Sequence, residues 1–130
     1  MEKNKSKQIA LITGATSGIG EATAKKLANR FSLILCGRRE EKLIELSNSL
    51  SNLTTVKILT FDVRNKNDVI DKLKGLEGEW KNIDILINNA GNAHGLDSIH
   101  EGDIEDWDMM IDTNVKGLLY VSREVLQTMV

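Results

Sequence analysis

Proline is absent from these 130 residues, and the chain holds one cysteine, one tyrosine, two histidines, two phenylalanines and two tryptophans. The lone Cys36 has no partner within the chain, which excludes an intrachain disulfide and a cysteine-built metal framework and suits a reducing, cytoplasmic compartment. Charge of neither sign dominates: 17 Lys and Arg against 19 Asp and Glu leave a net charge of −2, so neither nucleic acid nor an anionic membrane surface is an expected partner. No apolar run approaches the ~20 residues that span a bilayer. The opening stretch, Met1 to Lys7, is polar and basic without an apolar run behind it, and reads as a solvated lead-in instead of a signal peptide. Linkers, low-complexity tracts and repeats are missing too, so residues 1–130 form one domain's worth of chain.

What is present is an alternation of periods. Apolar runs at 9–13, 32–37, 55–61 and 83–87 read as buried strands. Between and after them, 18–29, 40–50, 67–76 and 104–129 carry helical spacing. In the first helix Ile19, Ala22, Ala24, Leu27 and Ala28 are the expected inward positions. In the last, a single long helix, the expected seam is Trp107, Met110, Ile111, Leu118, Val121, Val125 and Met129, with Asp103 as its N-cap. Strands alternating with helices imply an α/β fold, a parallel sheet with helical crossovers. The dinucleotide-binding, Rossmann-like version of that fold places the strands in the order 3-2-1-4.

The first strand runs into Thr13-Gly14-Ala15-Thr16-Ser17-Gly18-Ile19-Gly20 and then a helix. A helix that opens on glycines presents unpaired N–H groups and the positive end of its dipole, which together attract a pyrophosphate. Glu21 follows Gly20 where a phosphate-binding P-loop needs lysine. The competing reading is a tight strand-to-helix turn, close-packed for its own sake. Ribose recognition in such folds falls at the end of the second strand, where a carboxylate selects NAD. Here the residues are Cys36-Gly37-Arg38-Arg39. Two guanidinium groups suit a 2′-phosphate and favour NADP; alternatively both arginines begin an exposed helix and pair with Glu40 or Glu41.

The glycine turn, Asp62-Val63, Asn88-Asn89-Ala90-Gly91 and Asp112-Thr113-Asn114-Val115-Lys116-Gly117 occur in an order and spacing that resembles the short-chain dehydrogenase/reductase family across essentially the whole chain. The stretches 36–46, 79–91 and 105–117 resemble its NADP-dependent 3-hydroxy acid (serine or allo-threonine) dehydrogenases. That resemblance implies a role for each matching residue. Gly14, Gly18 and Gly20 form the cofactor turn, with Thr16, Ser17 and the Ile19 backbone near the phosphates. Arg38 and Arg39 meet the 2′-phosphate. Asp62 takes the adenine amino group beside the Val63 backbone, and Asn89, Ala90 and Gly91 lie under the adenosine. Asn114 matches the family's catalytic asparagine, which kinks its helix and holds a water in a proton relay. A small hydroxy or carbonyl substrate and a homo-oligomer are implied as well.

The family's catalytic Ser and Tyr-x-x-x-Lys are not found. Tyr120 is followed four residues on by Glu124, and it lies within the long helix. The expectation is an incomplete domain that ends before a fifth strand. It would hold a cofactor without turnover, because general acid catalysis alone contributes roughly 10²–10⁴-fold. Its proline-free fourth strand would be an open edge that favours self-association. The alternative is a non-catalytic nucleotide-binding or assembly module completed by a partner chain. His94 and His100, near Asp97, Glu101 and Asp103, match no zinc spacing, so no metal is expected; His94 could instead face substrate. Trp80 and Trp107 read as packing anchors, and Cys36 as the end of a buried strand.

Overall fold

Apolar runs flanked by polar turns fold here as strands buried on both faces. The computed structural model describes residues 7–91 and 98–129. The elements are β1 (Gln8–Ile12), α1 (Gly18–Leu27), β2 (Phe31–Gly37), α2 (Glu40–Leu50), β3 (Val56–Thr60), α3 (Lys66–Lys74), a 3₁₀ turn (Gly78–Lys81) and β4 (Ile85–Ile87). There follow α4 (Ile104–Ile111), a π-helical segment (Asp112–Gly117) and α5 (Leu118–Met129). The strands pair in parallel, as the alternation predicts, and in the order β3-β2-β1-β4 expected of the dinucleotide-binding arrangement.

Successive strand side chains point to opposite faces, and each face has its own core. Ile9 and Leu11 join Ile34 and Cys36 on the face that α3 and α5 cover through Val69, Leu73, Val121 and Val125. Ala10 and Ile12 join Leu33 and Leu35 on the face that α1 and α2 cover through Ala24, Leu43, Leu46 and Leu50. Helices on both faces explain why β1 and β2 read as unbroken apolar runs.

Three expectations are corrected, and one element, the 3₁₀ turn, is additional to them. In α1, Ala24 and Ala28 face inward, but Ile19 is 75% exposed and Ala22 is exposed too. The small side chains hold this helix against the sheet, and Ile19 lies on its solvent side. β4 begins at Ile85, later than the apolar run suggests, because Asp84 replaces a ladder bond. Its carboxylate accepts from the Ile9 N–H at 2.8 Å, while its own N–H donates to the Ile9 carbonyl at 2.9 Å. The 3₁₀ turn has no apolar period to announce it. The long helix is interrupted by the π segment, whose wider turn shifts side-chain phase. The buried positions there are Thr113, Gly117, Val121 and Val125, whereas Trp107, Ile111, Leu118 and Met129 of the expected seam stay exposed. Gly117 allows the approach, since a Cβ there would lie 2.6 Å from Val63 Cγ2. Asp103 caps α4 as expected, accepting from the Glu105 N–H at 2.8 Å.

Leu35 is fully buried in the central sheet and Ile44 is exposed on α2. Leu35→Ala is therefore expected to lower unfolding free energy by about 2–5 kcal/mol. Ile44→Ala should change it by about 0.5 kcal/mol or less. Urea denaturation followed by tryptophan fluorescence measures both.

Candidate dinucleotide-binding site

The order of the sheet reverses between β1 and β4, and such a reversal leaves a crevice beyond the carboxyl ends of the strands. The glycine turn fills its floor. Gly14 adopts a left-handed φ of 61°, and a Cβ there would come within 2.9 Å of the Ala90 Cα. At Gly20 a Cβ would overlap the Gly14 carbonyl oxygen. These two glycines are required by packing. Gly18 is not: a Cβ there would meet no atom within 4 Å.

Thr13 ties the turn to the far strand. Buried to 1% exposure, its Oγ1 accepts from the Asn89 N–H at 3.0 Å and the Ala90 N–H at 2.9 Å, and its own N–H donates to the Ile87 carbonyl at 3.0 Å. The Gly14 carbonyl in turn accepts from Asn89 Nδ2 at 3.1 Å, Ser17 Oγ at 2.9 Å and the Ser17 N–H at 3.3 Å. A third tie runs to β2, from the Ala15 N–H to the Cys36 carbonyl at 3.0 Å.

Above this floor lies an open cleft. Thr13, Gly14, Thr16 and Ser17 line one side, with the β2 end (Cys36, Gly37, Arg38, Arg39), the β3 end (Phe61, Asp62, Val63), Ala90, Gly91 and Thr113 completing it. Of the residues singled out in the sequence, Gly14, Thr16, Ser17, Arg38, Arg39, Asp62, Val63, Ala90 and Gly91 thus come together. Gly18, Ile19, Gly20, Asn89 and Asn114 do not line it. Gly20 and Asn89 sit behind the floor against Gly14, and the Asn89 side chain braces the turn through the Gly14 carbonyl. Ser17 spends its hydroxyl proton on Gly14, whereas Thr16 makes no hydrogen bond within the described residues. Asn114 lies beside Gly91 in the π segment, its Oδ1 3.0 Å from where a Gly91 Cβ would stand.

Arg38 and Arg39 are exposed, and their guanidinium groups make no ion pair or hydrogen bond among the described residues, so neither pairs with Glu40 or Glu41. Asp62 behaves differently. Arg64, a residue the sequence reading missed, forks onto its carboxylate, with Nη2 2.7 Å from Oδ2 and Nε 3.1 Å from each oxygen. That hydrogen bonding holds the Asp62 carboxyl below the usual carboxylate range against the opposing effect of burial, and the Arg64 backbone N–H, the Arg64 charge and last the charge of nearby Arg38 add to it. Burial pushes the Cys36 thiol upward. The spacing Asp-x-Arg was the available signal for Arg64; Thr13 had none, because its partners are distant in sequence.

Of the remaining candidates, Trp80 packs against the core and Trp107 lies over Gly102. His100 is exposed beside Glu101 at 3.3 Å, and His94 and Asp97 fall outside the described residues. Among the described residues no three metal-ligating side chains gather, and no helix is long and apolar enough to cross a membrane.

A family model described as short chain dehydrogenase matches residues 8–130. The NADP-dependent 3-hydroxy acid dehydrogenase YdfG of Shigella flexneri is 46% identical over 123 residues, covering 94% of this chain and 49% of that protein. Among solved structures, serine dehydrogenase from Escherichia coli superimposes with a TM-score of 0.89 at 45% identity, covering 95% of this chain and 56% of that one. The closed form of serine dehydrogenase complexed with NADP+ does so with a TM-score of 0.89 at 45% identity, covering 95% and 49%. The chain spans about half the length of the curated relatives it matches.

The glycine geometry predicts opposite outcomes for two alanine substitutions. Gly20→Ala should cost about 1–3 kcal/mol or more by overpacking. Gly18→Ala should leave thermal stability within about 0.5 kcal/mol. Melting curves of the two variants distinguish them. Cys36 should resist a thiol-specific disulfide reagent at neutral pH in the folded chain and react fully in denaturant. Rapid labelling of the folded protein would contradict its burial.

Proposed function

The chain belongs to the short-chain dehydrogenase family, and on that premise we propose that its 130 residues are the cofactor-holding part of an NADP-dependent oxidoreductase. The observation that carries the reading is the pair Arg38 and Arg39. They stand just past the end of β2 on the rim of the cleft, and no carboxylate among the described residues forms an ion pair with either. A 2′-phosphate supplies the missing counter-charge through bidentate hydrogen bonds.

The rest of the cleft suits the remainder of a dinucleotide. The N-terminus of α1, at Gly18, Ile19 and Gly20, offers backbone N–H groups to the pyrophosphate. Openness at Gly18 lets an anion approach the backbone, and Thr16 adds a hydroxyl. Asp62 receives the adenine amino group next to Val63, while Ala90 and Gly91 underlie the adenosine. Asn114 holds a water from the π segment, where widened backbone geometry is common at functional sites. NADP, when bound, supplies hydride exchange with an alcohol or carbonyl carbon. The chain's own residues bind and orient it. No Tyr-x-x-x-Lys occurs among them, since Glu124 stands four residues after Tyr120. The part described binds cofactor without turning over substrate. In a whole enzyme the substrate class would be small 3-hydroxy acids, the class named for one relative, and the compartment would be cytoplasmic.

A second reading concerns assembly. Ile104, Trp107, Ile111, Val115, Leu118, Leu119, Leu126 and Met129 are exposed apolar side chains along α4 to α5, and β4 is an edge strand. These features favour self-association, or pairing with a chain that supplies further strands.

NADPH should bind at least about tenfold tighter than NADH, in line with one charge-assisted hydrogen bond. Arg38→Ala should lower NADPH affinity by about 10–100-fold while NADH changes by about threefold or less. Fluorescence titration measures both. Equal affinity for the two cofactors would sink the NADP reading, and NADPH consumption with 3-oxo acids would refute the absence of turnover.

A further inference from the structure

The NADP reading makes Arg38 the group that meets the 2′-phosphate, and its availability needs a cause. Asp62 lines the same cleft and is close enough for the Arg38 charge to act on its carboxyl. A part-buried carboxylate near an exposed guanidinium gains from pairing with it. In this structure the two do not pair, because Arg64 already occupies the carboxylate. Oδ1 accepts from the Arg64 N–H at 2.9 Å and from Nε at 3.1 Å; Oδ2 accepts from Nη2 at 2.7 Å and Nε at 3.1 Å. The donors come from a residue two positions away, so the pairing is nearly pre-formed by the chain itself. Among the described residues, the other carboxylate whose charge acts on Arg64 is Asp112, which has a cation of its own in Lys116 at 3.6 Å. The result is a fixed order of pairing: Lys116 with Asp112, Arg64 with Asp62, and Arg38 with none among the described residues.

We propose that Arg64 is a positioning residue for cofactor selectivity: by gripping Asp62 it keeps that carboxylate from capturing Arg38, which stays available to a 2′-phosphate. The proposal rests on the NADP reading above. Arg64 touches neither the 2′-phosphate nor the reacting atoms; it acts through Asp62 and Arg38. The effect is on discrimination, because NADH carries no phosphate for which Arg38 and Asp62 would compete.

The test is the ratio of NADPH to NADH affinity in the 130-residue chain, read by fluorescence titration. The same comparison of 2′,5′-ADP with 5′-AMP, by calorimetry, removes the nicotinamide end. Arg64→Gln should lower the NADPH-to-NADH ratio by about tenfold, the loss of one charge-assisted contact, with NADH affinity within about threefold of the parent. Adding Asp62→Asn to Arg64→Gln removes the competing carboxylate and should restore the ratio to within about threefold of Asp62→Asn alone. A purely structural role for Arg64 would weaken both cofactors together and would not be reversed by Asp62→Asn. Should Arg64→Gln fail to fold, as judged by its melting curve, Arg64→Lys is read with and without Asp62→Asn. Any loss of ratio must then disappear with the second substitution. An unchanged ratio in a folded Arg64→Gln, equal losses for both cofactors, or no recovery with Asp62→Asn overturns the proposal while the parent still prefers NADPH. No preference in the parent overturns the NADP reading, and this proposal with it.

Discussion

Two backbone N–H groups, those of Asn89 and Ala90, end on the hydroxyl of Thr13, and the geometry of the cleft follows from that fastening. The N–H groups of a loop leaving a strand need acceptors if they are to be buried. Thr13 supplies one acceptor for both, 1% exposed at the end of β1. This draws the β4 end against the glycine turn so closely that only glycine fits at position 14, and the Gly14 carbonyl becomes the meeting point for Asn89 and Ser17. The space left above the turn is the crevice that an α/β sheet opens where its strand order reverses. The backbone is thus fixed before any ligand is present, the condition under which N–H groups bind an anion without reorganising.

Charge within the cleft is organised in the same spirit. Asp62, Arg38 and Arg39 line the cleft, and the carboxylate is matched to a further cation, Arg64, and to neither of the two arginines. Because Arg64 takes Asp62 locally, the excess positive charge stays on the β2 side, where the ribose of a dinucleotide lies in folds of this type. The same contact favours the ionised Asp62 carboxyl and holds it below the usual carboxylate range.

The long helix shows how tertiary packing overrides periodicity. A 3.6-residue pattern through Trp107, Ile111 and Leu118 assigns those side chains to the core. The π segment at Asp112–Gly117 advances the phase, and Thr113 and Gly117 turn inward in their place. Gly117 sits against Val63, next to Asp62, so the packing that displaces the apolar seam also brings Thr113 to the cleft and Asn114 beside Gly91. The displaced side chains form the exposed apolar stripe on the outer face.

The sequence by itself determined the strands, the helices, their parallel order 3-2-1-4, the glycine turn, and the two arginines where the second strand ends. These are legible because burial imprints a local period and because backbone freedom and charge are properties of single residue types. Only the tertiary structure decided which glycines serve packing and which is open. It also decided that Asn89 braces the turn, that Thr13 locks it and that Arg64 occupies Asp62. It placed the helix register out of step with its apolar pattern as well. The physical reason is distance along the chain: Thr13 and Asn89 are 76 residues apart, and no local pattern records that one will become the other's acceptor. Where residues act alone the sequence is sufficient; where they act by mutual approach, the fold has the deciding part.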